Sequence, residues 1–481
     1  MSSALPSPAP DMAQRLLPWL VAVAFFMEAL DTTILNTGVP VIAKSLDVTP
    51  LSMKAVLSSY TLSLAVFIPI SGWMADRFGT RRVFAAAIGL FTLGSLLCGL
   101  STNIHVLVAC RVLQGMGGAM MTPVGRLVMV QTFSRADLVR AMSFVAVPAL
   151  IAPMLGPLIG GLIVDYLHWR VIFFVNIPVG ILGAALVWLN MPDYRGTTPR
   201  PLDVLGLILF SSGVALLSYV LEVFGEHRLG LGGIFGLLAI SFLLLFGYGM
   251  HATKTAFPLL NMTLFRIRTF ATSVSGSFIT RLGIGGAPFL LPMLYQVGLG
   301  LTPVQSGLLI MPQAIASMST KFLLPRVLQR FGYRNVLVFN TLALGLMLMM
   351  FGTIGRGTPI WVIVAQAMVY GGLTSLQFTS MNTLVYADVP RDQSSGASTI
   401  ASTLQQLSVS FGVAAAGLTT IFFLPTEATA NPSLMLDGLH KAFFVLGGFT
   451  LVSTLVFSRL KREDGGEEAG EKDLHLDEAK G

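Results

Sequence analysis

The sequence predicts an all-α membrane protein with fourteen transmembrane helices. Three observations carry this. Of the 481 residues, 54% are hydrophobic and only 11% charged, with a mean hydropathy of +0.77; a soluble domain averages about 25% charged residues. The apolar residues fall in long runs, and about 20 of them span a bilayer. Lys and Arg gather in alternate connections between the runs. A chain this apolar has no polar coat, so an ordinary soluble enzyme is excluded. Cys98 and Cys110 both fall in apolar runs, which leaves no disulfide framework and no CxxC metal or redox site.

Residues 1–15 are rich in Ala, Pro and Ser and read as a disordered cytoplasmic lead. The first apolar run, from about Leu16 to Pro40, is too long for a signal-peptide core and reads as a retained helix. Further spans are expected at 53–75, 83–101, 104–131, 140–166, 170–190, 203–223, 231–250, 270–297, 304–327, 334–353, 359–386, 394–424 and 440–459. Residues 461–481 are charged and Gly-rich without apolar periodicity, and read as a disordered cytoplasmic tail.

With the N-terminus inside, the cytoplasmic connections carry 18 Lys and Arg residues. The outer ones carry six: Lys44, Lys54, Arg170, Arg228, Arg356 and Lys441. The formal charge of +7 is therefore a topology signal and not a nucleic-acid footprint. Trp19, Trp73, Trp169, Trp188 and Trp361 lie near span ends, as an interfacial belt requires.

The chain also repeats itself. Ala-Asp-Arg-Phe-Gly-Thr-Arg-Arg-Val at 75–83 and Leu-Gln-Arg-Phe-Gly-Tyr-Arg-Asn-Val at 328–336 match at five of nine positions. Both follow the second span of a six-span unit, on the same side of the membrane, a parallel repeat found in transporters. The implied organisation is two six-helix bundles, 16–190 and 270–460, with two inserted helices and their linkers at 191–269.

Ionisable residues inside spans are costly and are functional candidates by default. Six are expected deep in the membrane: Glu28, Asp31, Arg111, Arg126, Arg281 and Lys321. Glu28 and Asp31 are three apart and share a helix face. Two close carboxylates in a low dielectric should not both stay ionised, which suits a proton carrier. The alternative is that one of them pairs with a basic residue to hold helices together. Arg111 needs a partner, and Asp31 is the natural one. Arg126, Arg281 and Lys321 tilt the inventory toward cations. They fit an anionic substrate such as a carboxylate, or else pair with helix-end carbonyls and lipid phosphates; Lys321 could snorkel. Pro153, Gly156, Pro157, Gly160 and Gly161 mark a kinked, closely packed fifth span. No phosphate loop is present and no His sits deep in a span, so neither nucleotide hydrolysis nor an intramembrane haem or multi-His metal site is expected.

At these residues the chain resembles the major facilitator superfamily, and most closely its fourteen-helix drug:proton antiporter branch. The resemblance covers roughly residues 16–460. It rests on Leu30-Asp31-Thr32-Thr33-Ile34 with Asn36 and Pro40. It rests also on Gly72-Trp73-Met74-Ala75-Asp76-Arg77-Phe78-Gly79 with Arg81 and Arg82, and on Arg111 to Gly118. Gly156-Pro157 with Gly160 and Gly161, and Trp169-Arg170 through Phe173, Asn176, Pro178 and Gly180, complete it. Within the branch it is similar to a bacterial MdtD-like group, from the runs at 123–126, 280–283 and 330–334.

The resemblance implies a proton-coupled exporter of small molecules in the bacterial inner membrane, working by alternating access as a monomer. It would use no cofactor beyond the proton gradient, and both termini would be cytoplasmic. Asp31, Glu28 and Arg111 would couple protons, and Arg126, Arg281, Lys321, Asn36 and Gln114 would bind substrate. Gly72, Asp76, Arg77, Gly79, Arg81 and Arg82, with Arg330, Gly332 and Arg334 of the second copy, would gate. Pro153, Gly156, Pro157, Gly160 and Gly161 would form the antiporter hinge. The chain departs from the pattern at Ser143 and Ala152, where glycine is usual, and at Gln329, opposite Asp76. Some relatives export citrate or iron–citrate, which is the alternative the deep cations favour. A non-transporting membrane sensor is a remote third reading.

Overall fold

The computed structural model describes residues 12–196, 201–223, 230–390, 393–424, 432–461 and 463–464. Residues 1–11 and 465–481, most of the expected lead and tail, lie outside these. The described chain is helical almost throughout. The helices are α1 (Met12–Ser45), α2 (Lys54–Phe78), α3 (Thr80–Leu100), α4 (Ile104–Thr132), α5 (Arg135–Tyr166) and α6 (Asn176–Asn190). Then come α7 (Val204–Val223), α8 (Leu231–Lys254) and α9 (Arg268–Ile284), which is extended by Ala287–Met293 and a π-turn at Leu294–Gly298. The last five are α10 (Pro303–Thr320), α11 (Leu324–Phe351), α12 (Ile360–Leu384), α13 (Ser394–Phe422) and α14 (Pro432–Phe457).

Apolar runs make these helices, and local caps start them. The Asn103 and Ser134 side chains accept from Val106 N–H and Asp137 N–H at the starts of α4 and α5. Thr302 and Gln305 form a reciprocal capping box on α10. Thirteen helical stretches among the described residues are long and apolar enough to cross a membrane. The fourteenth, α10, is more polar; Gln305, Gln313 and Ser317 lie along it, and its middle faces a cavity instead of lipid.

Several expected boundaries shift. Helix α1 begins at Met12, so residues 12–15 belong to it and not to a disordered lead. Helix α14 begins at Pro432, eight residues before the expected start. The tenth span does not run unbroken to 327, because the chain turns at Lys321–Leu323 and resumes as α11.

The two sequence repeats adopt the same bend. Gly79 has φ of 94° and Gly332 has φ of 69°, a region where a side chain would be strained. Gly79 separates α2 from α3, and Gly332 kinks α11 between its first two turns and the rest. The repeat extends into packing. A Cβ on Gly115 would meet the Tyr60 carbonyl at 2.8 Å, and one on Gly371 would strike the Gln313 carbonyl. These are pseudo-equivalent contacts, α4 on α2 and α12 on α10.

Helices α1–α6 and α9–α14 form two bundles that meet along two seams. In one, α2 packs on α13, where Ser410 Oγ donates to the Ser58 carbonyl at 3.0 Å. In the other, α5 packs on α10, where Val304 N–H donates to Asp165 Oδ2 at 3.0 Å. Both contacts lie toward the end that the Lys and Arg distribution assigns to the outside. At the opposite end a cavity of about 800 Å³ opens between α2 (Gly72, Asp76) and α13 (Ser395, Thr399). The inserted pair α7–α8 covers only the first seam. Phe210 and Val214 of α7 share a buried cluster with Ala65 of α2, Val274 of α9 and Phe411 of α13.

Candidate functional site

The N-terminal bundle buries a polar network among four helices, backed by a fifth. Arg111 Nη1 of α4 donates to Asp31 Oδ2 of α1 at 2.6 Å, and each residue is 1% exposed. Gln114 Nε2 and Asn176 Nδ2 donate to the other oxygen, Asp31 Oδ1, at 2.8 and 3.1 Å. Both amides also reach Ser95 Oγ of α3, at 2.7 and 3.2 Å. Arg111 Nη1 also donates to Gln114 Oε1 at 2.7 Å. Its guanidinium carbon lies 4.1 Å from the Tyr60 ring centroid of α2. A charge this deep persists only when paired and hydrogen-bonded, and here both conditions hold.

Glu28 sits one turn away and is half-buried. Thr122 Oγ1 of α4 donates to Glu28 Oε2 at 2.6 Å. Arg126, one turn beyond Thr122, is close enough for its charge to act on Glu28. The two acids therefore differ: Asp31 is sealed within protein, and Glu28 is partly accessible. Thr32 and Asn36 continue the Glu28 stripe along α1 at helical spacing. Asn36 lines a central cavity of about 160 Å³, with Thr33 and Thr37 of α1, Pro153 and Pro157 of α5, and Gln313 of α10.

The expected substrate ligands do not converge. Gln114 is fully buried in the Asp31 network and does not line the central cavity. Its amide completes the hydrogen bonds of the ion pair. Lys321 is not deep in a span: it caps α10 at the helix break and is exposed. Arg126 is exposed beside Glu28. Arg281 is buried at 3% exposure, across the molecule in the C-terminal bundle. Its Nε donates to Ser277 Oγ at 3.0 Å and its Nη2 to Asn382 Oδ1 at 3.3 Å. The Phe378 ring centroid lies 3.9 Å from its guanidinium carbon.

Two of the residues expected to gate, Gly79 and Arg81, meet at an aspartate that motif reading missed. Gly79, at the bend, packs against the Asp193 carboxylate, and Arg81 N–H donates to Asp193 Oδ1 at 3.2 Å. Thr80 N–H donates to the Tyr194 carbonyl, and Gly196 N–H to that of Asp76. The segment after α6 thus holds the bend between α2 and α3. Gly72, Asp76, Arg77 and Arg82 are exposed there. In the second copy Arg330 is exposed, and Gly332 and Arg334 are half-buried.

The α5 glycines divide their work. A Cβ on Gly156 or Gly160 would strike α1 at Thr33 or Ile34, within the N-terminal bundle. A Cβ on Gly161 would meet the Pro303 carbonyl of α10 at 2.6 Å, across the seam.

The inserted pair is pinned at its inner end. Asp203 Oδ1 lies 2.7 Å from His251 Nε2, and its carboxylate accepts from Gly206 N–H and Leu259 N–H. Burial pushes the Asp203 carboxyl up, but these hydrogen bonds outweigh it and hold the group below the usual carboxylate range. Its contribution is full at neutral pH and is lost as pH falls through that lowered value.

The profile of the Major Facilitator Superfamily matches residues 21–413 and 274–477. A multidrug resistance protein MdtD of Pectobacterium atrosepticum is 42% identical over 444 residues, 92% of this chain and 95% of that protein. An MdtD of Escherichia coli O157:H7 is 44% identical over 447 residues, 92% and 94% of the two chains. Among solved structures, the POT family transporter PepTSo superposes with a TM-score of 0.68 at 15% identity, covering 93% of this chain and 98% of that one. A bacterial homologue of the human lysosomal transporter Spinster, inward-facing and occupied, gives 0.67 at 13% identity, covering 93% and 97%. The shared fold and the identity to MdtD over nearly the whole length place this chain in the major facilitator superfamily, among the MdtD-like proteins.

Proposed function

We propose that the protein is a proton-coupled multidrug-type exporter of the bacterial inner membrane, described here in its inward-facing state. The observation that carries this is the buried Asp31–Arg111 pair with a second, accessible acid one turn away. The MdtD names of its relatives point to the same substrate class. Protonating Asp31 removes the charge that holds Arg111, Gln114 and Asn176 on α1. The α1 segment immediately after Asp31 carries Thr33 and Ile34, which seat Gly156 and Gly160 of α5; α5 in turn carries Gly161 onto α10. A change at the acid is thereby passed to the seam between the bundles. Rocking the bundles about a central site is the transport step.

Substrate would enter from the cytoplasm past Glu28 and Arg126. Exporting a cation works against the inside-negative potential by about 2.3 kcal/mol per charge per 100 mV, and inward proton movement offsets it. The carboxylate-exporter alternative has less support, because Arg281 is engaged by Ser277, Asn382 and Phe378, and Lys321 stands exposed at the helix break.

The test is transport in liposomes under an imposed pH gradient. Ethidium should move only with the gradient, and Asp31→Asn should lower the rate at least a hundredfold. Gradient-driven citrate movement with ethidium inert would overturn the proposal.

A further inference from the structure

The two seams should be alike if the bundles were truly equivalent, and at one position they are not. Gly307 of α10 stands as many residues before Gly332 as Lys54 of α2 stands before Gly79. In the α5–α10 seam, Gly307 lets the backbones touch: a Cβ there would strike the Pro157 carbonyl. In the α2–α13 seam the same position is a lysine, 1% exposed. Gly417 of α13 makes room for it; a Cβ at 417 would lie 2.7 Å from Lys54 Cδ.

The inserted pair supplies the matching charge. Glu222, one residue from the end of α7, accepts from Ser58 Oγ at 2.5 Å. Ser58 is one turn after Lys54 on the same face of α2. The same Ser58 accepts through its carbonyl from Ser410 of α13. Three helices thus meet at Ser58, one turn from the buried Lys54, at the outer end of the seam that α7–α8 cover. A buried lysine is costly without a nearby acid, so α7 and the lysine depend on each other.

We propose that Lys54 and Glu222 form a latch by which the inserted pair holds the outer end of the α2–α13 seam closed. Opening to the outside separates α13 from α2, and water then reaches both charges and weakens their attraction. The inserted helices, on this assignment, set the balance between inward- and outward-facing states. The proposal rests on the alternating-access reading above.

The test places spin labels on Lys44→Cys and Arg356→Cys, in opposite bundles near the outer end, with Cys98 and Cys110 replaced by alanine. Distances are read by pulsed electron resonance in nanodiscs. The unaltered latch should give mainly the short distance. Glu222→Gln should raise the long-distance population at least threefold, and Ser58→Ala should shift it the same way by less. The exchange Lys54→Glu with Glu222→Lys should return it toward the starting value. Gly161→Val, which wedges the other seam, is the control. If Gly161→Val opens the outer end while Glu222→Gln leaves the distribution unchanged, the latch is wrong. A single distance in every variant, Gly161→Val included, overturns alternating access and the latch with it.

Discussion

The N-terminal bundle buries an ion pair where the C-terminal bundle buries hydrocarbon. Counted from the two motif glycines and from the starts of α4 and α12, Asp31 corresponds to Ile284, Ser95 to Leu348, Arg111 to Ala367 and Gln114 to Tyr370. All four C-terminal counterparts are buried. A second layer is also exchanged. Glu28 corresponds to Arg281, Thr122 to Phe378 and Arg126 to Asn382. The acid bonded to Thr122 beside an arginine on one side becomes an arginine stacked on Phe378 and bonded to Asn382 on the other. One fold has therefore been given two interiors: one bundle carries groups able to exchange protons, and the other gives it a firm body to move against.

The largest expected effect comes from forcing the two interiors to be alike. Ile284→Asp removes a buried aliphatic group and buries a polar one without a partner, since Ala367 stands where Arg111 would be. It should destabilise the protein by about 4 kcal/mol, seen as a lower thermal unfolding midpoint in detergent. Adding Ala367→Arg should recover part of the loss; if Ile284→Asp costs nothing, the C-terminal interior is not the dry core described. A smaller effect is expected at Arg281. Arg281→Gln loses the stacking on Phe378 and should lower stability by about 1 kcal/mol, leaving ethidium export within threefold. An export loss as deep as that of Asp31→Asn would instead put Arg281 in the transport pathway. The smallest change in stability is expected at Glu28. Glu28→Gln keeps an acceptor for Thr122 and should hold the unfolding midpoint within about 0.5 kcal/mol. Its effect should fall on substrate: gradient-driven export of cations should drop about tenfold, and that of neutral compounds should be spared.

Helix number and the repeat were legible because hydropathy and the Arg-Phe-Gly motif are local. The Asp31–Arg111 contact was legible because a deep arginine needs an acid and few were on offer. Its remaining members were not. Tyr60, Ser95 and Asn176 are uncharged and come from separate helices, so nothing in spacing marks them as neighbours. Gln114 stands in a Gly-rich run that could face either way; the network and not a cavity claimed it. Lys54 and Glu222 stand at helix ends, where a charge reads as a loop or interfacial residue. Only the packing of α13 and α7 on α2 buries Lys54 and brings Glu222 to Ser58. Lys321 misled for the opposite reason: an apolar run hid a break in the helix.

The α5–α10 seam touches backbone to backbone, through Gly161 at Pro303 and Gly307 at Pro157. Where two backbones touch directly there are no knobs to lift out of holes and no rotamers to unlock. Two such surfaces slide like the faces of a plain bearing, with a low and even resistance. The wear of repeated cycling then falls on no single residue.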